Sequence, residues 1–198
     1  YFQPPKVGGY FADKLMFRAV RRQIDRIRGE FDFDLIDAHW VYPNGVLAAH
    51  LATLYDKPVV MTGRGEDILR FPKLPIIGTK IRKALQRGTR FVALSREIAR
   101  AFEANGADPT AISLIPNGVD SEEFRPLPKD EVRRKLHVPR DRRVVVSVGE
   151  LQERKGFHLL IDAVARMRNT HPDVFLVIVG GARLHGRDYM TGLNDRIR

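Results

Sequence analysis

The chain contains no cysteine. Disulfides, thiolate nucleophiles and cysteine-based metal sites are therefore excluded, while a reducing compartment is allowed without being required. No apolar run approaches the roughly 20 residues that a bilayer-spanning helix needs, so no spanning segment is expected. Neither a dinucleotide-type GxGxxG nor a P-loop with its GK[ST] signature is present. His158, His171 and His185 show no ligand spacing, so no metal site is expected. The opening residues Tyr1-Phe2-Gln3 lack an initiator Met and a signal-peptide pattern, and read as native sequence entered midway.

What is present is ordinary in bulk and biased in charge. Hydrophobic residues make up 43% and charged residues 29%, which suits a soluble globular chain and argues against wholesale disorder. Lys and Arg number 34 against 24 Asp and Glu, a net charge of +10. Such an excess favours anionic partners: nucleic acid, an acidic membrane surface or phosphorylated substrates. Composition does not choose among them.

Pattern narrows the choice. Residues 12–28 read as an amphipathic helix, with Met16, Val20, Ile24 and Ile27 at helical spacing and five arginines at other positions. Strand-like and helix-like segments then alternate: strand 34–40, helix 45–54, strand 58–63, helix 77–87, strand 90–95, helix 96–106, strand 111–116. This rhythm predicts βαβ units and a parallel sheet covered on both faces. It breaks at 117–130, a stretch with Pro126 and Pro128 and no periodicity, and a short helix follows. Strand 143–148, helix 157–168 and strand 174–179 restart it. An α/β chain of two domains, 1–122 and 123–198, is expected.

One loop carries chemistry. "VVVSVGELQERKGFHLLIDA" runs from a valine strand, through Gly149, to Arg154-Lys155-Gly156 and a helix. In parallel α/β sheets ligands bind outside the carboxyl ends of strands. Glycine permits a sharp turn and close backbone approach, and a helix N-terminus offers unpaired N–H groups and partial positive charge. Lys155 adds a full charge there, so the loop suits a diphosphate. Solvated cations beside an ordinary turn are the plainer alternative.

Context favours the first reading. "FVALSREIARAFEANGADPTAISLIPNGVDSEEFRP", "SVGELQERKGFHLLIDAVARM" and "HPDVFLVIVGGA" together resemble the GT-B glycosyltransferases of family 4, over about Asp34 to Ala182. The resemblance implies two Rossmann-like domains with parallel sheets facing across a cleft, both incomplete in this chain. It implies retaining transfer of a sugar from a nucleotide diphosphate donor to a glycan or lipid-linked acceptor, with no metal or other cofactor. Lys155, Gly149 and Gly156 match the family's donor-diphosphate loop. The cytoplasm, at the inner face of the membrane, is the implied location, with peripheral contact to anionic lipid through helix 12–28 and no nucleic-acid partner.

Departures from the family pattern are informative. Relatives have Arg after the first glycine of the loop; here it is Glu150, and Arg154 partly replaces the missing charge. Relatives read His-Gly-x-Asp after the "P.V.T" strand, whereas this chain has "TGRGED". Arg64 stands where the histidine would be, and Asp67 matches the aspartate. Arg64 is thus the candidate for stabilising negative charge in catalysis, although an arginine cannot act as a base. His39, in "DAHWVYPNG", matches a histidine on the acceptor side, with Asp67 beside it. Trp40 and Tyr42 read as cover for the sheet edge ahead of an acceptor platform, Asn117-Gly118 as a turn first and a cleft contact at the hinge second, and Gly180-Gly181 as a turn or an approach to the donor nucleoside. The family's first strand and its E-x7-E donor segment are absent, so this stretch alone is not expected to catalyse, and its open edges favour self-association. Two other classes remain: a nucleic-acid-binding or non-catalytic peripheral membrane protein, and a glycogen- or sucrose-synthase-like enzyme of the same fold.

Overall fold

The computed structural model describes residues 8–181 and 187–197. A 3-10 turn, Gly8–Phe11, leads into helix α1 (Ala12–Glu30). Strand β1 (Ile36–His39), a π-type turn (Val41–Gly45) and α2 (Val46–Tyr55) follow. Next come β2 (Val59–Gly63), α3 (Glu66–Leu69), a 3-10 turn (Phe71–Lys73) and α4 (Pro75–Leu85). Then β3 (Arg90–Ala93), α5 (Arg96–Ala104) and β4 (Ile112–Leu114). Beyond them lie α6 (Lys129–Lys135), β5 (Arg143–Val148), α7 (Phe157–Met167), β6 (Val174–Val179) and α8 (Arg187–Ile197). The chain divides into two compact units, Tyr1–Val119 and Asp120–Arg198. Among the described residues no helix is long and apolar enough to cross a membrane.

In the first unit four parallel strands lie in the order β1-β2-β3-β4. Right-handed crossovers repeated in one direction place the connecting helices on one face of such a sheet. The register puts Ala38, Met61, Phe91 and Ile112 side by side, and Ala38, Met61 and Phe91 are buried in one cluster with Ala48, Ala49, Ile81 and Phe102. The other face bears Asp37, His39, Arg90 and Ser113, all exposed. The expectation of a sheet covered on both faces is therefore corrected: the described residues cover one. Asp37 and His39 at alternate positions of β1, with Arg90 opening β3, carry that asymmetry.

Helix α1 covers α2 more than the sheet. Its Met16, Phe17, Val20 and Ile24 pack around Leu47, Leu51 and Tyr55. Its start is fixed by Lys80 of α4, whose Nζ donates to Asp13 Oδ1 at 2.5 Å and to the Tyr10 carbonyl at 2.6 Å. Asp13 is 1% exposed, so its charge depends on that one lysine.

In the second unit β5 and β6 form a parallel pair, and Arg143 at the start of β5 makes a two-bond fork to Asp173, just before β6, at 2.5 and 2.7 Å. The Arg143 guanidinium holds the Asp173 carboxyl below its usual range. A depressed carboxylate stabilises the fold above the unfolded value, about pH 4, and that contribution fades as pH falls further. Leu176 and Ile178 pack with Leu151, Phe157, Ile161 and Leu193. On the opposite face of the pair Val146 is 58% and Val148 74% exposed.

The buried pair yields a test. Lys80→Met strands Asp13 and should cost about 3–5 kcal/mol in urea unfolding. The paired variant Asp13→Asn/Lys80→Met should recover most of that loss, because no buried charge is left alone.

Candidate active site

Two groups of residues sit at carboxyl ends of strands, one in each unit. In the first, His39 ends β1 and Arg64 follows β2 directly. Arg64 Nη2 lies 2.8 Å from His39 Nδ1, and Arg64 Nη1 donates to Asn117 Oδ1 at 3.0 Å. A guanidinium only donates, so His39 Nδ1 is the acceptor and the ring proton sits on Nε2. That nitrogen faces Asp37 Oδ2 at 3.3 Å. A chain Asp37–His39–Arg64–Asn117 results, exposed along its length. His39 has no free ring lone pair while Arg64 holds it, and neither of the two hydrogen-bond partners of Arg64 is a carboxylate.

Asp67 explains why these side chains meet. It is fully buried, and its Oδ2 accepts the Val41 N–H at 2.8 Å while Oδ1 accepts the Arg64 N–H at 3.0 Å. One carboxylate thereby ties the turn after β1 to the turn after β2. Asp67, expected on the acceptor side, lies beneath His39 and Arg64 with no exposed surface, and its carboxylate is engaged by backbone N–H groups. Its helix, α3, lies in the stretch between the expected strand 58–63 and helix 77–87 and was not foreseen.

The neighbouring residues divide. Tyr42 is buried, its hydroxyl donating to the Gly9 carbonyl and its ring edge-on to Phe71 at 6.2 Å. Trp40 is 44% exposed and has φ 77°, a left-handed backbone rare for an aromatic residue. Asn117-Gly118 forms no turn. Gly118 has no left-handed φ, and an added Cβ there would meet open space, so the turn reading is corrected. Asn117 instead receives Arg64, a contact across 53 residues that no local pattern signals.

In the second unit the loop after β5 is built as follows. Gly149 N–H donates to the Val179 carbonyl at 3.0 Å, and Leu151 N–H to the Gly181 carbonyl at 3.0 Å, joining the exits of β5 and β6. A Cβ on Gly180 would lie 1.9 Å from the Gly149 carbonyl oxygen, so only glycine fits. Neither a plain turn nor an approach to a nucleoside had been separated from this packing role by sequence. Residues Glu153–Lys155 form a 3-10 turn that ends at Gly156, whose φ of 71° opens α7. Arg154 and Lys155 are exposed and Glu150 is half-buried. The His158 N–H is received by the Tyr189 hydroxyl at 3.2 Å, a partner on α8 that sequence reasoning missed. Phe157 N–H is left as the first-turn donor without an acceptor among the described residues.

His171 Nδ1 lies 2.9 Å from Thr170 Oγ1, and His185 lies outside the described residues. No group of three metal-ligating side chains occurs among the described residues.

Removing the clamp should be costly. Asp67→Ala leaves two buried N–H groups without an acceptor, about 1–3 kcal/mol each. Urea unfolding should show that loss, and the His39 ring resonances should shift as Arg64 moves away. Asp67→Asn, which keeps one acceptor oxygen, should fall between the two.

Comparison with known proteins bears on both units. Residues 3–123 match Glycosyltransferase Family 4 and residues 128–198 match Glycosyl transferases group 1. The D-inositol 3-phosphate glycosyltransferase of Stackebrandtia nassauensis is 39% identical over 93 residues, 45% of this chain and 21% of that protein. The GDP-mannose-dependent alpha-(1-6)-phosphatidylinositol monomannoside mannosyltransferase of Mycolicibacterium smegmatis is 28% identical over 163 residues, 82% of this chain and 42% of that protein. The crystal structure of HepE from Anabaena in complex with UDP superposes with a TM-score of 0.73 at 25% identity, covering 98% of this chain and 50% of HepE. This chain thus spans half or less of each of these relatives. With both family matches falling on parallel α/β units whose candidate residues stand at strand carboxyl ends, the chain belongs to Glycosyltransferase Family 4 and has the parallel α/β architecture of GT-B glycosyltransferases.

Proposed function

We propose that the complete protein is a retaining glycosyltransferase, moving a sugar from a nucleotide diphosphate donor to a glycan or lipid-linked acceptor without a metal. Two of its relatives are named for glycosyl and mannosyl transfer, to inositol 3-phosphate and to a phosphatidylinositol mannoside, and HepE is a UDP complex. UDP and GDP are accordingly the nucleotides to try first. In this reading the protein works in the cytoplasm, at the inner face of the membrane.

The observation that carries the proposal is the loop from Gly149 to Gly156, at the carboxyl end of β5 and the start of α7. When the bond from the anomeric carbon to the diphosphate oxygen breaks, negative charge grows on the departing nucleotide. Lys155, the Phe157 N–H and the partial positive charge of the α7 N-terminus would meet that charge more strongly in the transition state than in the ground state. Arg154 adds a second cation. On the acceptor side the reading assigns His39 and Arg64, with Arg64 countering negative charge and Asp67 holding both in place.

Lys155→Ala should lower turnover of the complete protein roughly a hundredfold and weaken UDP or GDP binding in calorimetric titration, with the fold intact. Glu150→Ala should do neither. Unchanged turnover and affinity in Lys155→Ala would remove this loop from the donor site.

A further inference from the structure

Asn-Gly pairs occur three times in the chain, at 44–45, 105–106 and 117–118. In such a pair the peptide nitrogen of the glycine can attack the side-chain amide carbon of the asparagine, because glycine has no Cβ to keep the two apart. Whether it does depends on whether that nitrogen and that side chain are free to move. At two of the pairs they are held. Gly45 is buried and its N–H donates to the Trp40 carbonyl at 2.8 Å, while Asn44 Nδ2 donates to the His39 carbonyl at 2.8 Å. Gly106 N–H donates to the Glu103 carbonyl at 3.0 Å, and Asn105 Nδ2 to the Ala101 carbonyl at 2.8 Å. In both, the attacking nitrogen and the leaving group are tied down together.

The third pair differs on each count. Asn117 and Gly118 are exposed and lie outside every helix, strand and turn. The Gly118 N–H has no acceptor among the described residues, and no atom lies within 4 Å of where a Cβ on Gly118 would stand. The one contact of the Asn117 side chain helps the attack. Arg64 Nη1 donates to Asn117 Oδ1 at 3.0 Å, and that oxygen gains negative charge as a nucleophile adds to Cγ. A guanidinium already in place there stabilises the addition more than it stabilises the starting amide.

We propose that Asn117-Gly118 is a self-modification site, converting through a cyclic imide to aspartate and isoaspartate and so placing a carboxylate on Arg64. The steps balance. The Gly118 nitrogen gives its proton to water and bonds to Asn117 Cγ; the Cγ–Nδ2 bond breaks, and Nδ2 leaves as ammonia. Water then opens the imide at either carbonyl. One water is taken up, one ammonia is released, and nothing is oxidised or reduced. Arg64 thereby exchanges an amide oxygen for a charged partner, and less of its charge is left for an incoming anion. The conversion needs neither donor nor acceptor sugar. It goes beyond the proposed transfer reaction, and its test has no catalytic readout, so either can fail without the other.

The experiment is peptide mass mapping of the complete protein, kept warm in mildly alkaline buffer and sampled over days, with isoaspartate resolved by chromatography. Residue 117 should convert about tenfold faster than 44 or 105, the factor that one hydrogen bond on the peptide nitrogen is worth. In urea the three rates should converge, because the fold alone separates them. Gly118→Ala adds a Cβ in open space at a φ that alanine adopts, so circular dichroism should show it folded while conversion slows roughly tenfold. Arg64→Met should slow conversion as well. In Asn117→Asp, carbon-13 NMR should find the introduced carboxyl titrating below the ordinary aspartate value of about 3.9, and back at that value once Arg64→Met is added. No conversion at 117, or equal conversion at all three pairs in the folded protein, would overturn the proposal. So would rates that stay apart in urea, an undiminished rate in Gly118→Ala, a faster one in Arg64→Met, or an introduced carboxyl whose titration ignores Arg64.

Discussion

The carboxylate of Asp67 is the constraint on which the first unit's strand-end site rests. A buried carboxylate must satisfy its oxygens inside the protein or forfeit the free energy of leaving water. Asp67 takes backbone N–H groups from two different turns, at Val41 and at Arg64. The exits of β1 and β2 are thereby set relative to each other before any side chain at the surface is considered. His39 and Arg64 then come within hydrogen-bond distance as a consequence, and Asn117, at the far end of the unit's sequence, closes the group from the other side.

The excess positive charge serves distinct ends in different places. Lys80 is structural, holding a buried aspartate and the start of α1. Arg143 is structural too, though at the surface, where its fork to Asp173 ties the start of β5 to the residue just before β6. Arg64 is held by His39 and Asn117, neither of which is a carboxylate. Lys155 has no ion-pair partner among the described residues and stands beside a helix start. Cations that are spoken for and cations that are available can thus be separated, and Arg154 and Lys155 at the α7 loop make no ion pair with a described residue.

How legible this was depends on how local each feature is. The strands 143–148 and 174–179 have the bounds expected of them, because uninterrupted valine-rich runs between turn residues leave little choice of state. Helix α5 follows its apolar period and begins at Ser95, whose side chain caps Ile98 N–H. The π-type turn at Val41–Gly45 and the short α3 were invisible, since one holds non-periodic residues and the other is a single turn. At the candidate sites the residue types were legible and their roles were not. Asp67 was matched only to the family's aspartate on the acceptor side, because sequence carries no sign of its depth. The contacts of Arg64 with Asn117 and of His158 with Tyr189 join residues far apart, and Gly180 is required by a carbonyl 31 positions earlier.

Trp40 carries one further consequence. Its left-handed backbone is unfavourable for a residue with a large side chain, by about 1–3 kcal/mol, and persists only where neighbours over-determine it. Those neighbours are Thr62, whose carbonyl receives Trp40 N–H at 3.0 Å, and Asp67, which holds the next N–H along. Both belong to β2 and the segment after it. The end of β1 therefore has no resting shape of its own: it travels with β2, and any ligand that displaces the turn at Arg64 will carry His39 and the Trp40 ring with it.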